Sequence, residues 1–176
     1  ITLSITSNDT TEVTVSPTTL TFFNNWDTYE TVTVTGVDDA LIDGTINTTV
    51  TVAVTTAGQN DSAYSGLSKT VNVSNSSDDV AGFTIVESGG STSVSEQQTT
   101  DTFTVVLDAK PDSNVVLSVV SADTGEVTVS PATLTFTSEN WDTAQEVTVT
   151  GVDDAIVDGN INTEVTISVN DTNSDD

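Results

Sequence analysis

The side chains in this sequence placed to do chemistry are carboxylates, and their spacing repeats. Asp38-Asp39 is followed by Asp43, and Asp153-Asp154 by Asp158, so Asp-Asp-x-x-x-Asp occurs twice. Asp78-Asp79 is a third adjacent pair, Asp9 and Asp123 each stand before an EVTVSP segment, and Glu96 follows Val94-Ser95. Adjacent carboxylates repel unless something neutralises them. A hard cation does so, and Ca²⁺, taking roughly six to eight oxygen ligands, tolerates irregular loops better than Mg²⁺. A solvated acidic face is the alternative reading. The recurrence of the spacing and the scarcity of lysine favour calcium.

Composition excludes most other chemistry. The chain has 176 residues, 27 of them acidic against two lysines (Lys69 and Lys110), with no histidine or cysteine and a formal net charge of -25. Without His or Cys there is no Ser-His-Asp triad, thiolate nucleophile, zinc finger, haem or iron–sulfur ligation. Two lysines make no phosphate-binding surface, which excludes nucleic acid as a partner. No apolar run approaches the ~18 residues of a membrane span, so membrane insertion is not expected. Paired carboxylates also occur in glycosidases, but these pairs are adjacent on loops and occur in both copies. No enzymatic activity is expected.

The elements that must hold these loops are strands. The chain contains 36 Thr and 27 Val, both good strand formers. Val13 and Val15, Val32 and Val34, and Val50, Val52 and Val54 alternate with polar residues, the pattern of half-buried strands. The sequence also repeats itself. EVTVSPTTLTF (Glu12 to Phe22) recurs as EVTVSPATLTF (Glu126 to Phe136), and VTVTGVDDA (Val32 to Ala40) recurs unchanged from Val147. A period near 115 residues suits whole domains better than solenoid units of roughly 20–50 residues. Ile1 aligns with Val115 and Asp176 with Asp61, so the chain reads as an excerpt of a longer array. Residues 1–79 form one repeat lacking its N-terminal part, and residues 80–176 a second lacking its final strand. Strands are expected near 82–87, 101–108, 114–121, 126–136 (broken at Pro131), 144–150 and 161–169, with a last one like 69–74. Seven or so strands with turns between them suggest an all-β, antiparallel β-sandwich. Trp26 and Trp141 are expected to plug cores, and Phe22 and Phe136 to be structural. That leaves Tyr29 and Tyr64 as candidate binding aromatics.

VTVTGVDDAIVDG (Val147 to Gly159), the VSE ending at Glu96 and the SSDD ending at Asp79 resemble the Calx-beta domain, and more closely the Calx-beta-like repeats of large bacterial surface and secreted proteins. The resemblance implies tandem immunoglobulin-like sandwiches that bind clustered Ca²⁺ where one domain meets the next. It implies as ligands Asp9, Asp38, Asp39 and Asp43, with Asp78 and Asp79 from the junction, and then Glu96, Asp123, Asp153, Asp154 and Asp158. The family usually has Glu where Asp43 and Asp158 stand. The function expected is that of an extracellular scaffold: an adhesin stalk or filament shaft on a microbial cell surface, stiffened by Ca²⁺. Its partners would be adjacent repeats of the same polypeptide and other copies in a filament. A glycan-binding accessory module and a calcium-sensing regulatory domain are the alternatives.

Overall fold

A computed structural model describes residues 1–59, 61–157, 159–172 and 174. The chain divides into two compact units. The first is Ile1–Asp39 with Asp43–Asp78, and the second is Ala40–Ile42 with Asp79–Asp176. Both are built from antiparallel strands. No described helix is long and apolar enough to cross a membrane.

The first unit contains β1 (Thr2–Ser7), β2 (Val13–Ser16), β3 (Thr19–Thr21), β4 (Thr33–Gly36), β5 (Thr45–Thr56) and β6 (Ser68–Ser76). They form a four-stranded sheet in the order β3-β1-β5-β6 and a two-stranded sheet, β2-β4. Ile5, Val13 and Val50 are buried together, with Val15, Leu20, Val32, Val52 and Val73 packed around them. These residues come from both sheets, at the alternate positions that the period-two pattern assigns to one face.

The second unit contains β7 (Phe83–Glu87), β8 (Thr100–Leu107), β9 (Val115–Ser121), β10 (Val127–Ser130), β11 (Thr133–Phe136), β12 (Gln145–Gly151) and β13 (Val165–Val169). One sheet runs β10-β12-β8-β7 and the other β11-β9-β13. Phe103, Val105 and Leu107 of β8 and Val147 and Val149 of β12 meet Leu117 and Val119 of β9 and Leu134 and Phe136 of β11 in one core. A core shared by two antiparallel sheets is the arrangement of a β-sandwich.

The strand expected over 126–136 is broken at Pro131, as expected, and its two halves lie in different sheets. β10 pairs with β12, whereas β11 pairs with β9. The break falls at Pro131, which follows a cis peptide bond and has no N–H to give to a ladder. The first unit behaves alike at Pro17, with β2 on β4 and β3 on β1.

The two tryptophans differ. Trp141 packs against the core of its unit, as expected. Trp26 does not plug a core, for it is 79% exposed. In the second unit β8 flanks β12, and the Leu107 N–H donates to the Trp141 carbonyl at 3.1 Å. Among the described residues of the first unit, β4 has no such neighbour on that side, so nothing in the unit covers the indole.

Candidate metal centre

The hairpin-like pairing of β2 with β4 builds the site. Val13 lies opposite Gly36, so the residue before β2 and the loop after β4 come together. That residue is Glu12, and the loop carries Asp39 and Asp43. One carboxylate oxygen from each of the three lies within 4.8 Å of the others, and this is the one such acidic group of three or more among the described residues.

Glu12 is buried, at 9% exposure, while Asp39 and Asp43 are exposed. Its backbone carbonyl accepts the Val37 N–H at 2.8 Å, which pins the start of the acidic loop. Its side chain accepts a hydrogen bond from Asn75 Nδ2 at 3.1 Å, and the same nitrogen donates to the Val37 carbonyl at 3.0 Å. A buried carboxylate needs partners, and β6 supplies one through Asn75. Gly36 makes room for it, since a Cβ there would stand 2.6 Å from Asn75 Oδ1. Asn75 also begins an Asn-x-Ser sequon, but its amide is committed to these bonds.

Three convergent carboxylate groups with no lysine or arginine among them form a hard, oxygen-only ligand set. It suits Ca²⁺ or Mg²⁺ and offers nothing to soft metals. The irregular Val37–Gly44 loop, with Gly44 at φ 75°, fits the looser coordination of Ca²⁺.

Of the ligands implied by resemblance, the structure brings Asp39 and Asp43 together. It does not bring the other described ones into this group. The Asp9 carboxylate accepts the Thr11 N–H at 3.0 Å and also the Thr11 hydroxyl. The Thr11 bonds, the hydroxyl first, hold its pKa below the usual carboxylate value despite some desolvation. This is an Asx-type turn that shapes the approach to β2. Asp123 forms the corresponding turn in the second unit, accepting the Gly125 N–H at 2.9 Å. Asp154 accepts the Ile156 N–H at 2.7 Å. Asp38, Asp78, Asp153 and Glu96 are exposed, and Asp79 is half-buried. Asp158 lies outside the described residues.

Glu12 is absent from the implied ligand set. Its signal was present in the sequence, because Glu opens the repeated EVTVSP segment in both copies. In the second unit Glu126 holds the same relation to the loop, its carbonyl accepting the Val152 N–H at 2.8 Å.

A second carboxylate, outside this centre, is held by its own network. Asp101 accepts hydrogen bonds from the Ser88 hydroxyl, from the Ser93 N–H at 2.8 Å and from the Thr102 N–H at 2.8 Å. These bonds, the Ser88 hydroxyl first, lower its pKa and tie the 88–99 loop to the start of β8.

No protein-family model, curated protein or solved structure matches this chain.

Proposed function

We propose that Glu12, Asp39 and Asp43 bind Ca²⁺, and that the chain is a non-enzymatic extracellular scaffold of Calx-beta-like, immunoglobulin-like repeats, stiffened by calcium at its acidic loops. The observation that carries this reading is the convergence of three carboxylates, one of them buried, in a protein of formal net charge -25. Without a cation the Val37–Gly44 loop is pushed outward by like charge. A bound Ca²⁺ turns that repulsion into ligation and fixes the loop against β2. The repeated Asp-Asp-x-x-x-Asp loops extend the same electrostatic switch along an array, as an adhesin stalk or filament shaft requires. The strongly acidic surface also keeps a Thr- and Val-rich β protein soluble and discourages edge-to-edge association.

Extracellular calcium modules bind at ~10⁻⁴–10⁻³ M. A ligand at about 100 times its Kd stabilises the folded state by about 2.7 kcal/mol. Thermal melts in EGTA and in ~10 mM CaCl₂, with MgCl₂ as control, are expected to show a calcium-specific rise in Tm. E12Q and the double variant D39N/D43N are expected to lose most of that rise. Equal melts in EGTA and calcium would sink the reading.

A further inference from the structure

The two units can be compared strand by strand, because Ile1 aligns with Val115 and Trp26 with Trp141. β1 corresponds to β9, β2 to β10, β3 to β11 and β4 to β12, and the shared ladders agree. β10 pairs with β12 as β2 pairs with β4, and β11 pairs with β9 as β3 pairs with β1. The sheet neighbours differ. β12 has β8 on its other side and β7 beyond that, while β4 has no further strand among the described residues.

The side chains and backbone of β4 are correspondingly uncovered. Val149 is 2% exposed, and its counterpart Val34 is 41% exposed. The Gly151 N–H donates to the Thr99 carbonyl at 3.1 Å, and the Val152 N–H turns the other way, to Glu126. In the first unit the Val37 N–H turns to Glu12. By the alternation of a strand, the N–H groups of Gly36, Val34 and Val32 face the open side. The segment that leads from β3 into β4 carries three exposed aromatics, Phe23, Trp26 and Tyr29. A strand edge with unpaired N–H and C=O groups is a template for β-augmentation.

We infer that the β4 edge of the first unit is an acceptor site for a two-stranded hairpin of the β7–β8 kind. The second unit identifies the occupant. There the partner strand carries Phe103, Val105 and Leu107 on its core face and pairs with β12 from Gln145↔Val105 to Thr150↔Thr100. Transferred to the first unit, that register sets the incoming strand against Glu30 to Thr35. Val32 then faces the position of Phe103, and Val34 that of Asp101. The incoming strand closes the sandwich and covers Val34 and the Trp26 indole. Sugar stacking on the same aromatics is the competing use of this face. The inference is independent of the metal centre.

The test adds a second copy of residues 80–114 directly before Ile1 of the full chain, with a scrambled copy as control. The expected result is that the Gly36, Val34 and Val32 amides exchange ~100-fold or more slowly, as ladder amides do relative to open-edge ones, and that the Trp26 indole resonance shifts to a buried environment. The scrambled copy should change neither. A synthetic 80–114 peptide added in trans to the unmodified chain is expected to produce the same changes saturably. If Trp26 and the β4 amides are unmoved by both the fused and the free hairpin, the inference is overturned. It is overturned equally if the scrambled copy protects them as well.

Discussion

Asn75 on β6 donates to the buried carboxylate of Glu12 at 3.1 Å, across 63 positions of chain. The bond links the last strand of the first unit to the residue that opens β2, and its nitrogen also holds the Val37 carbonyl. The buried carboxylate and the start of the acidic loop therefore share one amide.

Replacing Asn75 by leucine removes the donor and leaves a buried acceptor unsatisfied. The expected cost is about 1–3 kcal/mol, read as a lower midpoint in denaturant unfolding in EGTA. Calcium affinity should fall as well, because Glu12 loses its orienting partner. An unchanged midpoint would show that the Glu12 carboxylate is satisfied without Asn75.

Gly36 and Gly151 occupy the same place in the repeated VTVTG segment but are constrained by different atoms. A Cβ on Gly151 would lie 2.2 Å from the backbone oxygen of Ser95, whereas one on Gly36 meets only the movable amide of Asn75. Gly151→Ala must shift backbone, so a loss of about 3 kcal/mol is expected, at the upper end of overpacking penalties. Gly36→Ala is expected to cost less in folding and to show its effect in calcium affinity. Chemical denaturation and calcium titration of the two variants separate these outcomes. Equal losses of stability would contradict the assignment.

Asp101 gives a pH signature. Its pKa in the folded chain lies below the ordinary value of 3.8, so the unfolded chain binds its proton first as pH falls. The stabilisation from this group is therefore complete above pH 3.8 and is lost as pH drops through the lowered folded value. D101N lacks that contribution at every pH. The stability gap between the wild type and D101N should be level near neutrality and close below pH 3.8. Denaturant melts across the acid range measure it, and a gap that persists undiminished at the lowest pH would refute the role.

Most strand positions were legible in the sequence because Val alternates with polar residues over short runs, although the strand expected over 161–169 is confined to Val165–Val169. The expectation of 82–87 became Phe83–Glu87, 69–74 became Ser68–Ser76, and 144–150 became Gln145–Gly151. The sheet change at Pro17 and Pro131 was not legible, because a proline marks a break without saying where each half goes. Asp39 and Asp43 stood out through their spacing. Glu12 did not, because it belongs to a strand motif and reaches the acidic loop only through the β2–β4 ladder. Trp26 was misread because its sequence context matches that of Trp141. What separates the two is a neighbouring strand, and strand adjacency is not written in local pattern.

The eleven residues from Glu126 to Phe136 run through both layers of the second unit, and Glu12 to Phe22 do the same in the first. Such a segment acts as a stitch. Peeling one layer from the other would drag the stitched residues out of two ladders at once, so neither layer has an inexpensive way to leave alone. Under a pulling load this favours abrupt, all-or-none rupture of a unit over gradual fraying.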